Sequence, residues 1–262
     1  MIQAAAVDGA VLHAAFRPGA AGRRPVVFAN SLGTDLRIWD AVIDALPADL
    51  PVLTWDKRGH GLSDATALGM ETHVSDMAAL MDRFGLSGAV VCGVSVGGMI
   101  AQGLAATRPG LVAGLVLSNT GMKIGDAAGW QARVDAVMGQ GLESIADAVL
   151  EHWFARAFRE GQPGRLALYR NMLVRTPADG YAATCAAIRD TDYSAQAAAI
   201  SVPCQCLAGD EDLATPPEIV RKLAETVPGA GLTVLADVGH LPCIEAPESV
   251  AKAVLRIHAR LP

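Results

Sequence analysis

The chain has 262 residues, of which 52% are hydrophobic and 18% charged, enough apolar material for a sizeable core and too much for a disordered segment. Its formal charge of -6, with 21 Lys and Arg against 27 Asp and Glu and no basic block, argues against a nucleic-acid partner. No run reaches the ~18 apolar residues a membrane helix needs, and the N-terminal Met1 to Asp8 lacks a basic flank leading into an apolar stretch, so a cytoplasmic protein without a membrane partner is expected.

The first predicted element is Ala10 to Phe16, which follows a turn at Asp8-Gly9 and reads as one arm of an antiparallel hairpin at a sheet edge. Short Val- and Leu-rich runs then recur at Val26–Ala29, Val52–Trp55, Ala89–Cys92 and Leu115–Leu117, with helix-length stretches between most of them. Runs of this kind are strands buried on both faces, and their alternation with helices predicts an α/β fold with a mostly parallel twisted sheet. The next strand-like runs come only at Cys204–Leu207 and Leu232–Leu235. The long intervening stretch carries helical patterns at 127–138, 142–157, 164–174 and 177–189. We therefore expect a core formed by 1–119 and 200–262, with a helical lid inserted at 120–199. Five scattered cysteines, Cys92, Cys185, Cys204, Cys206 and Cys243, read as buried thiols, with Cys204 and Cys206 expected on opposite faces of one strand.

Chemistry concentrates where strand meets helix. Gly93-Val94-Ser95-Val96-Gly97 follows the Ala89 run and opens a stretch of helical composition. A serine at such a turn is held in strained geometry with its oxygen above the sheet, and flanking glycines avoid collisions. Serine is a poor nucleophile unless a base takes its proton and an acid orients the base. Only His152, His240 and His258 follow Ser95; the first falls in the lid and the last in the terminal helix, which leaves His240, in the loop after the last strand, as the base. Asp210, Glu211 and Asp212 compete for the acid, with Asp212 preferred, Asp210 bracing the loop and Glu211 facing solvent. The oxyanion needs backbone donors; Val96 and Leu32, in the Asn30-Ser31-Leu32-Gly33 loop, are the candidates.

These features resemble the α/β hydrolases, through Asp56-Lys57-Arg58-Gly59-His60-Gly61, the Ser95 turn, the Asp212 loop and Gly239-His240. Within that group the chain is similar to the 3-oxoadipate enol-lactonases, on Asn30 to Trp39, Ser118-Asn119-Thr120, Gly180 to Asp190 and Thr215-Pro216-Pro217. Lys123 stands where lactonases of this group carry arginine. The resemblance implies a serine hydrolase of a small anionic lactone that needs no metal, cofactor or obligate protein partner. His60, Asp56 and Arg58 read as structural. Alternatives on the same fold are a general carboxylesterase, a carbon-carbon bond hydrolase of ring-cleavage products, or a ligand-binding protein. The lid holds eight basic and nine acidic residues, so a substrate carboxylate must meet one specific cation. Lys123, beside the strand ending at Asn119, and Arg133 are the candidates, with Trp130 and Trp153 as candidate pocket walls.

Overall fold

Val, Ala and Leu dominate the segments that pair into the central sheet, and β-branched Val suits a pleated surface covered on both sides. The computed structural model describes residues 3–65 and 69–261; Met1 and Ile2, where the N-terminal segment opens, lie outside them. The strands are β1 (Gln3–Val7), β2 (Ala10–Arg17), β3 (Val26–Ala29), β4 (Val52–Trp55), β5 (Ala89–Val94), β6 (Val112–Ser118), β7 (Cys204–Gly209) and β8 (Gly231–Leu235). Their order across the sheet is β1-β2-β4-β3-β5-β6-β7-β8. The β1–β2 hairpin and its junction with β4 are antiparallel, and every later pairing is parallel. This is the sheet expected from the alternation, with the hairpin at one edge.

Helices α1 (Asp40–Asp44), α2 (Met70–Arg83) and α3 (Val96–Thr107) lie between the earlier strands. Between β6 and β7 come α4 (Ala127–Gln140), α5 (Ala146–Trp153), α6 (Arg156–Gly161), α7 (Pro163–Val174), α8 (Ala178–Arg189) and α9 (Ser194–Ala198). After β7 follow α10 (Pro217–Thr226), α11 (Pro242–Glu245) and α12 (Pro247–His258). Within the insertion α4 packs along α8, whereas the short α9 sits against α3 and α10 of the core.

Two sequence expectations change. The helix expected over 142–157 is a 3-10 turn at Leu142–Ile145 followed by α5, an extended break at Phe154 and Ala155, and then α6. Tertiary hydrogen bonds cause the break: the Trp153 carbonyl accepts from the His240 N–H at 2.8 Å instead of from the next helical turn. Cys204 and Cys206 share one face of β7, since strand side chains alternate with period two, and their thiols interact. All five cysteines are free and buried.

The turn after β4 is held from beneath. Arg58 Nε and Nη2 bind the two oxygens of Asp76 on α2 at 2.7 and 2.8 Å, and Nη2 also donates to the Val7 carbonyl on β1. Both side chains of this pair are buried. Asp56 accepts from the Leu36 and Leu62 N–H groups and lies 2.7 Å from His13 Nδ1. Asp56 and Arg58 therefore brace the fold, as expected. Among the described residues, no helix is long and apolar enough to cross a membrane.

Candidate active site

The sheet delivers its loops to one end, at the C-terminal edges of the parallel strands, where open α/β sheets place ligands. β5 ends at Val94, and Ser95 occupies a backbone conformation with φ 59° and ψ -124° before α3 begins at Val96. Left-handed φ is costly for a residue with a side chain, and at functional sites such strain holds a group in place. The glycines around it are required by contact: a Cβ on Gly93 would lie 2.2 Å from the Gly97 carbonyl oxygen, and one on Gly97 would lie 2.1 Å from the Ala29 carbonyl oxygen. Thr120 Oγ1 donates to the Ser95 carbonyl at 2.7 Å and fixes the turn from β6.

His240 lies in the loop after β8. Its Nδ1–H donates to Asp212 Oδ2 at 2.9 Å, with Oδ1 at 3.1 Å. Asp212 sits past the end of β7 and also accepts from the N–H groups of Ala214 and Thr215, the Thr215 hydroxyl and Asn119 Nδ2. Burial works to raise this carboxyl, but the facing His240 and the Thr215 donors outweigh it and hold it below its ordinary value. The structure thus separates the three competing carboxylates. Asp212 alone meets His240. Asp210 is exposed and accepts from the Val238 N–H at 3.3 Å. Glu211 corrects the expectation of a solvent-facing side chain: it accepts the Arg156 N–H at 2.8 Å and so caps α6, where the helix dipole favours an anion.

Ser95 and His240 line one cavity of about 270 Å³ together with Ser31, Leu32, Trp130, Arg133, His152 and Trp153. The Ser95 Oγ has no hydrogen-bond partner among the described residues; contacts between a nucleophile and its base commonly tighten around substrate. Val96 is the first residue of α3, so its N–H has no intrahelical partner and is free to donate. Leu32, on the loop after β3, lines the cavity. His60 secures that loop: its Nε2 accepts the Gly33 N–H at 2.9 Å while Nδ1–H donates to the Arg58 carbonyl. Burial, assisted by the nearby Lys57, pushes the His60 imidazolium well below its ordinary range, so the ring is neutral and able to accept.

Of the expected substrate contacts, Trp130, Arg133 and Trp153 line the cavity. The Arg133 guanidinium lies over the Trp130 ring, 5.3 Å from its centroid, and Trp130 Nε1 donates to the Ile124 carbonyl at 2.6 Å. Lys123 does not line it. Its side chain is exposed, because alternate residues of this short segment, Met122 and Ile124, take the inward positions.

Three cavity or support residues were not read as functional in the sequence. His152 donates Nδ1–H to the Ala148 carbonyl at 2.6 Å, which leaves Nε2 as the ring's free nitrogen. The Ser31 hydroxyl is buried without a hydrogen-bond partner among the described residues. Asn119, at φ 45°, bridges Asp212 and the Gly239 carbonyl; its place directly after β6 was the available signal.

A serine at a strained strand–helix turn beside a buried Asp–His pair on one cavity is an arrangement suited to acyl transfer, and comparison with known proteins agrees. The alpha/beta hydrolase family profile matches residues 10–253. The chain belongs to this family. It is 34% identical to 3-oxoadipate enol-lactonase 2 of Acinetobacter baylyi over 97% of this chain and 95% of that one. A second relative, 3-oxoadipate enol-lactonase 1 of the same organism, is 31% identical over 85% of this chain and 84% of its own. The crystal structure of the enol-lactonase from Burkholderia xenovorans LB400 superposes with a TM-score of 0.93 at 35% identity, covering 98% of this chain and all of that one. This α/β hydrolase is accordingly an enzyme acting on a carboxylic ester or lactone.

Proposed function

We propose that the enzyme opens 3-oxoadipate enol-lactone to 3-oxoadipate in the degradation of aromatic compounds, with Ser95 as nucleophile. The observation that carries this reading is a single small cavity holding Ser95, His240 and one arginine, Arg133. Its volume lies at the low end of ligand pockets, which run from roughly 300 to 1,000 Å³, and suits a compact ring with one carboxylate.

His240 Nε2 takes the proton from Ser95 Oγ as that oxygen attacks the lactone carbonyl. The oxyanion forms between the Leu32 and Val96 N–H groups, and Asp212 stabilises the imidazolium. Collapse breaks the ring C–O bond, and His240 returns the proton to the departing enol oxygen. The product stays attached as an acyl-enzyme through its carboxyl carbon. Water, deprotonated by His240, then releases the acid, and the enol becomes the ketone without help from the protein.

The free carboxylate of the substrate pairs with Arg133, since burying an unpaired anion costs far more than burying a paired one. His152 and the unpartnered Ser31 hydroxyl supply further polar contacts. The test is hydrolysis of a panel of lactones and aryl esters with and without a carboxylate. At least a tenfold preference in kcat/KM for the anionic lactone is expected; equal values would instead assign a general ester hydrolase.

A further inference from the structure

Beneath the loop that carries Leu32 lies a lysine whose burial no packing argument explains. Lys57, in the turn after β4, is 1% exposed. Its Nζ donates to the Ser31 carbonyl at 2.5 Å and reaches the Thr34 carbonyl at 3.4 Å. No carboxylate forms an ion pair with it among the described residues. Burying an ammonium on carbonyls alone is costly, so its position calls for a reason. The Ser31 carbonyl belongs to the same peptide unit as the Leu32 N–H. A cation bonded to the oxygen of an amide withdraws electrons from its nitrogen and makes the N–H a stronger donor, the cooperative effect of hydrogen-bond chains.

We propose that Lys57 is a positioning residue of the oxyanion hole, its ammonium polarising the Ser31–Leu32 peptide and fixing the Leu32 N–H toward the cavity. The proposal rests on the serine mechanism above. It needs the charged form, because a neutral amine donates weakly and polarises little. Lys57 faces Asp35 from the loop before the Leu36–Trp39 turn, its chain neighbour Asp56, His60 from its own turn and His73 from α2. The two aspartates favour the ammonium, but burial outweighs them and brings it down to about 7. His60 and His73 are both held neutral by burial and by the lysine itself, so neither adds positive charge to the pocket. Activity should therefore fall as pH rises through about 7, as the ammonium is lost.

The test is Lys57→Met, similar in length and uncharged, compared with Ser95→Ala. Losing an oxyanion donor outright costs about 10²–10³ in kcat, and weakening one should cost roughly 10- to 100-fold. We expect that loss in kcat with KM within about twofold, a matching loss of affinity for phenylboronic acid, and disappearance of the alkaline limb of kcat/KM. Glu245, whose carboxyl burial also raises to about 7, could produce a limb of its own, but that limb would persist in Lys57→Met. Unchanged kcat, or an unchanged limb, in a folded Lys57→Met overturns the proposal. So does a parent kcat/KM that stays flat from pH 6.5 to 9, which requires no variant. If Ser95→Ala remains active, the serine mechanism itself fails, a different outcome from an inactive Ser95→Ala beside a fully active Lys57→Met.

Discussion

Replacing Asp212 with Asn tests the site most sharply, because its hydrogen bonds dictate how the new side chain must sit. Asp212 Oδ1 accepts two backbone N–H groups, from Ala214 at 2.8 Å and Thr215 at 2.9 Å, and neither can become an acceptor. The amide oxygen of Asn must take that place, which puts its NH₂ where Oδ2 was. There it faces Asn119 Nδ2, the Thr215 hydroxyl and His240 Nδ1. The hydroxyl can rotate to accept. The imidazole can accept only by moving its proton to Nε2, and in that tautomer it cannot take a proton from Ser95. The same tautomer trap in a serine protease lowers kcat by about 10⁴, or about 5.4 kcal/mol of barrier. Folding loses far less, about 1–3 kcal/mol for the one mismatched contact with Asn119. Turnover of the lactone and of p-nitrophenyl acetate should fall together, with circular dichroism unchanged. Asp210→Asn, which alters a single long contact at an exposed position, should stay within about threefold of the parent. A folded Asp212→Asn that keeps more than about a tenth of the parent kcat, or an Asp210→Asn that loses more, would refute the assignment.

Ser95→Ala should retain its fold and lose on the order of 10⁶ in turnover, measured with enough enzyme to detect the residual rate. Arg133→Met should lower kcat/KM for the anionic lactone by roughly 10- to 150-fold, the worth of a charge-assisted hydrogen bond, while a neutral ester changes little. Lys123→Met should leave both substrates unaffected, since that side chain points away from the cavity. Arg58→Met strands the buried Asp76 carboxylate, at about 3–5 kcal/mol. Thermal denaturation should show a fall of roughly 6–20 °C, and much of it should return in Arg58→Met with Asp76→Leu.

The sheet was readable because its strands are continuous Val and Leu runs, and the Ser95 turn because glycines are forced where backbones touch. Chain order then singled out His240 without any structure. Less of the pocket was legible. Trp130 and Arg133 were candidates only as an aromatic and a cation of the insertion; their spacing of three on α4, which puts both on one helix face, was a signal left unused. Lys123 was misplaced because it lies in a short non-helical segment, where no periodicity says which way a side chain turns. The break at Phe154 was hidden for a different reason: the partners that stop the helix, His240 and Glu245, lie about ninety residues away, and local propensity carries no trace of them. Ser31 and Lys57 escaped notice because their roles depend on backbone carbonyl and N–H groups, which every sequence has.

That break also determines how the insertion is coupled to the chemistry. The His240 N–H is bonded to the Trp153 carbonyl, the Glu245 carboxylate takes the N–H groups of both Ala155 and Gly239, and Glu211 takes that of Arg156. The two segments approach so closely that a Cβ on Gly239 would lie 2.7 Å from both the Ala155 nitrogen and the Trp153 oxygen. Trp153 is therefore a cavity wall whose own carbonyl holds the base, and moving it moves His240. The α4 contribution is different, since Trp130 and Arg133 line the cavity from that helix, with Trp130 held by its own side chain to the Ile124 carbonyl. Changes there can reshape the pocket without displacing His240. Specificity in this enzyme should accordingly be adjustable on the α4 side, while the segment from Trp153 to Arg156 is constrained by the reaction.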